Sequence, residues 1–203
     1  MKKRIAVVIV ALTVILGTVS ASIAEEKRIF LSLGGGVFKP KGDASDYNQG
    51  SNFTLSVFIW PTDSIFGAGI DVNRNKVDFE QTVIGNSQTS EIETTSFECL
   101  LYIQPNTWII QPYIGLGIGT YINTVINKWG NTTLYDDSNQ SGFGLVAKGG
   151  VRAFIGNTFF IGAYGKYFTN ANDIKYLTSS GDKITLKYDI GGTMVNAEIG
   201  MRF

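Results

Sequence analysis

The last ten residues of the sequence read MVNAEIGMRF, Met194 to Phe203. Val195, Ala197, Ile199, Met201 and Phe203 fall on one side of a period-two pattern, with Asn196, Glu198, Gly200 and Arg202 on the other. Period two is the side-chain alternation of a β-strand. An apolar face and a polar face therefore run right up to the final residue. Water-soluble domains usually trail off in a few loose polar residues instead. This segment asks for a strand that is paired, and whose apolar face has something to meet.

The opposite end narrows what that can be. Residues 1–24, MKKRIAVVIVALTVILGTVSASIA, carry a basic head (Lys2, Lys3, Arg4), an apolar run from Ile5 to Leu16, and Ser22 and Ala24 at the −3 and −1 positions of a cleavage site. The apolar run is 12 residues, short of the ~20 that cross a bilayer as a helix. The expectation is a cleaved signal peptide over 1–24 and a single domain over 25–203. Three of the 17 basic residues precede the cut, leaving fourteen against 17 acidic ones, a net charge of about −3. Nothing in that balance calls for nucleic acid. Charged residues make up 17% of the chain, against a typical ~25%, an odd ratio for an exported protein with a wet exterior. The single cysteine, Cys99, excludes an internal disulfide.

Between these ends the period-two pattern recurs. Eight runs stand out: 28–38, 51–60, 65–78, 91–103, 109–122, 142–154, 158–169 and 184–203. Short connections (61–64, 104–108, 155–157) alternate with long polar ones (39–50, 79–90, 123–141, 170–183). That alternation predicts an all-β fold, an eight-stranded antiparallel up-and-down transmembrane β-barrel with two unlike ends. Each run has one bulky apolar face, as in Phe53, Leu55, Val57 and Ile59, or Ile114, Leu116 and Ile118. The other face is small or polar, as in Gly115, Gly117 and Gly119, or Lys148, Gly150 and Arg152. The polar face has about one charge per strand, too few to solubilise an exterior. The lumen of an eight-stranded barrel is just wide enough for side chains to fill it, so glycines and a few paired ions belong inside. The apolar face then meets lipid, where a closed barrel is the one strand arrangement that pairs every backbone group. Cys99 falls on that face as a small apolar filler. Trp60, Phe66, Trp108, Phe154, Phe159 and Phe160 lie beside short connections, and are expected to form a periplasmic aromatic girdle.

With the terminal MRF, the strand QPYIGLGIG (111–119) and the hairpin AKGGVRAFIGNTFFIGAYGKYF (147–168), the chain resembles the small eight-stranded outer-membrane β-barrel proteins, the class of the OmpA and OmpX barrel domains. The resemblance covers all of 25–203. It implies an outer-membrane location in an envelope of Gram-negative type, and a role for Phe203 as the signal read by the barrel-assembly machinery. Enzymes of this barrel class, the lipid A deacylases and outer-membrane proteases, use a histidine in their catalytic sets, and this sequence has none. No catalytic residue, cofactor or metal is expected. The glycine-rich SLGGGVF (32–38) lacks the spacing of a phosphate-cradling loop, and the loop acids follow no calcium-loop spacing.

The candidate site is the lumen. Asp71, Glu98, Lys148 and Glu198 count to mid-height from the short turns, Lys166 lies slightly higher, and Arg152 and Arg202 lie near the periplasmic end. Buried charges cost several kcal/mol each unless paired. These seven are therefore expected to form an ion network, either a static plug or a gate on a weak cation path, with Glu198 pairing Lys166 or Lys148. Tyr47, Trp129, Tyr135 and Tyr176 in the long connections offer receptor-contact aromatics or pack among themselves. The function expected is a non-enzymatic envelope protein, structural or surface-interacting through long extracellular loops. The alternative is a narrow, porin-like channel for small solutes or ions. Expected partners are outer-membrane lipid, the assembly machinery and an unidentified surface receptor or ligand. The expected state is a monomer.

Overall fold

The computed structural model describes residues 27–203 except 43–44, 46–47, 62–63, 84–85, 106–108, 130–131 and 178–182. The expected signal peptide (1–24), Tyr47 and Trp108 lie outside the described residues, as do the side chains of Trp129, Tyr135 and Tyr176. Alternating β-favourable runs give nine strand segments: β1 (Lys27–Gly42), β2 (Gly50–Pro61), β3 (Phe66–Val83), β4 (Asn86–Ile103), β5 (Ile110–Trp129), β6 (Thr132–Ile155), β7 (Phe159–Phe168), β8 (Ala171–Leu177) and β9 (Lys183–Arg202).

Nine segments make eight staves. Along β9 the partners run from Phe168↔Gly192 to Ala171↔Asp189, and along β6 from Val146↔Phe168 to Phe143↔Ala171. The register is unbroken, so β7 and β8 are one stave interrupted at Thr169 and Asn170. Each stave pairs antiparallel with the next, and β1 pairs with β9 from Phe30↔Arg202 to Gly42↔Ile190. Phe203 completes the seam, its N–H donating to the Ile29 carbonyl at 2.8 Å and its own carbonyl accepting from the Ile29 N–H at 3.1 Å. The barrel is closed, with all-antiparallel neighbours and no helix among the described residues.

Burial is inverted relative to a water-soluble protein. Outward Leu101 and Leu116 are 71% and 63% exposed, while inward Asp71 and Glu98 are 0% exposed. Period two places the first pair in lipid and the second in the lumen. Cys99 is exposed on the outer face.

The long connections differ from expectation. Ladder pairing continues through most of three of them, up to Val83↔Asn86, Trp129↔Thr132 and Leu177↔Lys183. Their polarity does not mean loss of strand, since ladder hydrogen bonds need no apolar side chains once the register is set. The β5–β6 register shifts at Asn123/Thr124 and again at Asn127/Lys128. Such bulges bend and twist a ribbon, here where it leaves the wall. By contrast, β6 and β7 are joined by a tight turn whose Gly156 has φ +66°, a left-handed conformation that favours glycine.

Candidate functional site: the barrel lumen

The inward positions stack into layers. Nearest the short turns lies an aromatic floor. Phe30 stacks on Phe58 with ring centroids 5.2 Å apart, and Trp60 lies 5.8 Å from Tyr102 and 6.1 Å from Phe30. Phe160 and half-buried Phe154 complete it at 5.5 Å from one another. This corrects the expected girdle. Trp60 and Phe160 are 0% and 1% exposed inside the barrel, and Phe154 packs against them. Phe66, Phe159 and Phe203 do face outward and are exposed. Proximity to a short turn does not decide the face; parity does. Trp60 shares parity with Ser56, and Phe160 with Lys166, so their rings point inward. Glycines on neighbouring staves make room for them: a Cβ on Gly67 would lie 2.5 Å from Trp60 Cδ2, and one on Gly115 would lie 2.7 Å from Tyr102 Cδ1.

Above the floor is a clamped ion pair. Arg152 Nε donates to Glu198 Oε1 at 2.9 Å, and its Nη1 donates to Gln104 Oε1 at 3.0 Å. The guanidinium lies 3.8 Å from the Tyr113 ring centroid and 4.2 Å from that of Phe58. A flat cation against two aromatic rings is well suited to such a buried position. Glu198 also accepts from the Tyr113 hydroxyl at 3.1 Å and the Ser32 hydroxyl at 3.3 Å. The register explains the meeting. Gly162 on β7 lies opposite Arg152 on β6 and opposite Glu198 on β9, so the two long side chains meet over a residue that has none.

The next layer holds four charges. Asp71 Oδ2 accepts from Lys148 at 2.9 Å and from Lys166 at 2.7 Å. Lys166 also donates to Glu98 at 2.6 Å and to Asn73 at 2.9 Å. Lys148 lies 4.3 Å over the Tyr164 ring. Lys148 and Lys166 are direct cross-strand neighbours, a repulsive placement that the shared carboxylate offsets. Higher still, Asn52, Asn73, Asn75, Thr54, Ser96 and Asn196 are linked through side-chain hydrogen bonds. Phe38, Phe168 and Tyr121 stack above them at 5.7 and 4.9 Å.

Six of the seven expected ions thus lie buried in two groups, three carboxylates against three cations. Arg202 is apart from them. Half-exposed at the rim, it donates to the Asn157 carbonyl at 2.9 Å and covers Phe154 at 4.7 Å. The partner expected for Glu198 is also corrected. Lys166 is registered with Met194, four residues along β9 from Glu198, which is about 13 Å at strand rise. Sequence reasoning missed Gln104, Tyr113 and Asn73, although each has the inward parity of a charge on its own strand or beside it.

The family model described as outer membrane protein beta-barrel domain matches residues 9–203. No curated protein sequence matches the chain. Among solved structures, Neisserial surface protein A superposes with TM-score 0.58 at 12% identity, over 86% of this chain and 97% of that one. OprG from Pseudomonas aeruginosa gives 0.57 at 14%, over 88% and 96%. Ail, the attachment invasion locus protein of Yersinia pestis, gives 0.54 at 18%, over 88% and 99%. At these identities the likeness is one of fold.

Proposed function

This chain belongs to the outer membrane protein beta-barrel domain family, and we propose that within it the protein is a non-enzymatic barrel whose role is structural or lies in surface interaction, not in conduction. The observation that supports this is the filled lumen. An aromatic floor, two charge-balanced ion groups, an amide-rich layer and a second aromatic layer follow one another along the axis. A permeating ion would have to break pairs that are costly to separate in a dry interior. The absence of histidine from the sequence removes the usual general base at neutral pH.

Interaction then falls to the parts above the wall. β2 pairs with β3 only as far as Ser51↔Lys76, while β3, β4, β5 and β6 stay paired beyond it. On the other flank β6 meets β8 at the single pair Phe143↔Ala171. A four-stranded sheet thus rises on one side with two backbone edges unpaired among the described residues, and unpaired edges can accept a further strand. In this reading the signal peptide is removed after Ala24, residues 25–203 act as a monomer, and Phe203 engages the assembly machinery.

Liposome swelling tests the reading. Vesicles carrying the purified barrel should shrink and stay shrunken in an isosmotic-to-hyperosmotic step with a small sugar, as empty vesicles do. Re-swelling at a rate that scales with protein content would overturn it in favour of the narrow channel.

A further inference from the structure

Where the apolar outer wall gives way to charge, two sides of the barrel differ. On β3 and β4, Arg74 Nη2 donates to both Glu93 carboxylate oxygens at 2.9 Å, and Lys76 pairs with Glu91 at 3.0 Å. Each cation there is neutralised by a carboxylate on the adjacent strand. On β1, Lys39 and Lys41 occupy the two outward positions above Val37, and both are exposed. Among the described residues neither forms an ion pair with a carboxylate.

The local register gathers these lysines around an aromatic ring. Lys39 is opposite Thr193 and Lys41 opposite Gly191 on β9, while Thr193 is opposite Tyr167 on β7. Gly191 presents no side chain, so Lys41 crosses β9 and its Nζ lies 5.3 Å from the Tyr167 ring centroid. On the other flank β2 begins at Gly50, opposite Phe38, so neither lysine has a paired strand there. Directly below, Val37, Val195, Leu33 and Ile199 form an exposed apolar surface.

We propose that Lys39, Lys41 and Tyr167 seat the phosphate of an outer-leaflet lipid headgroup, with the acyl chains of that lipid lying on the Val37–Val195 surface below. A lysine stem lies along apolar wall while its ammonium stays at headgroup level, and an interfacial aromatic ring sits at that same level. Two ammonium groups that form no ion pair among the described residues attract an anionic headgroup, each adding to its retention. The self-paired β3–β4 side has no such surplus. The seat requires only that the barrel spans the membrane, and holds whether or not the lumen conducts.

Native mass spectrometry on the purified full-length protein in neutral detergent tests this, with diphosphorylated lipid A and the same lipid stripped of phosphate as probes. The barrel should retain the phosphorylated lipid and release the stripped one. The K39Q/K41Q variant should bind the phosphorylated lipid roughly tenfold more weakly or worse, and the R74Q/E93Q variant should match the native protein. Heat-modifiable gel mobility reports whether each variant is folded; if the double variant is not, K39Q and K41Q alone should each show part of the loss. Equal retention of stripped lipid, or undiminished binding by the lysine variants, would overturn the proposal. So would displacement of the lipid by millimolar inorganic phosphate, which would mark a site for the free anion.

Discussion

The two buried ion groups solve one problem in opposite ways. In the upper group a single carboxylate, Asp71, holds two lysines, and Glu98 shares one of them. In the lower group one arginine meets one glutamate, and the remaining contacts come from neutral neighbours: Gln104, Tyr113, Ser32 and the Phe58 face. The upper group is balanced by charges and the lower by geometry. A carboxylate shared between two cations concentrates risk on one residue. An arginine held against rings spreads it over several weak contacts.

The largest effect should therefore come from Asp71→Ala. Lys166 would keep Glu98, but Lys148 would lose its one ion-pair partner among the described residues, at a cost of about 3–5 kcal/mol. Denaturant unfolding in detergent reads this directly, and a loss under about 1 kcal/mol would mean that water replaces the carboxylate.

Glu198→Ala should cost about 3 kcal/mol, because Arg152 is left charged and buried. Removing both, as Arg152→Met with Glu198→Leu, should recover part of that loss, since an ion pair replaced by apolar side chains is often tolerated. The corresponding double change at Asp71 and Lys148 should recover less, because Lys166 is disturbed as well.

Gly162→Val probes the clamp alone. Its Cβ would lie 2.5 Å from the Val151 carbonyl and 3.0 Å from Glu198 Oε1, which should cost about 1–3 kcal/mol through overpacking. The upper group should not respond.

The smallest expected effect separates the groups. A double-mutant cycle between Lys166 and Glu198 should give a coupling under about 0.5 kcal/mol, whereas the Arg152–Glu198 cycle should exceed it clearly. Equal couplings would mean that the two groups act as one network.

Parity made much of this legible in advance. Alternation from Phe53 to Ile59 and from Ile114 to Ile118 separates lipid face from lumen without any coordinates, and six buried ions follow from it. The misses have specific causes. Nearness to a turn suggests a girdle for Trp60, Phe154 and Phe160, although parity alone puts all three inside. The partner of Glu198 depends on register across β6, β7 and β9, where a shift of four residues moves a side chain by about 13 Å. Register comes from the pairing of separate strands, and alternation within one strand carries no trace of it. The long polar connections read as loops because they lack apolar alternation, and a polar ribbon still forms its ladder.

Single-channel recording in planar bilayers puts the filled lumen to its most direct test. The native barrel should insert without producing discrete conductance steps, and Asp71→Ala, which frees Lys148, should be the first variant to show any. Steady, resolved steps from the native protein would contradict a lumen closed by its two ion groups and would make it a channel.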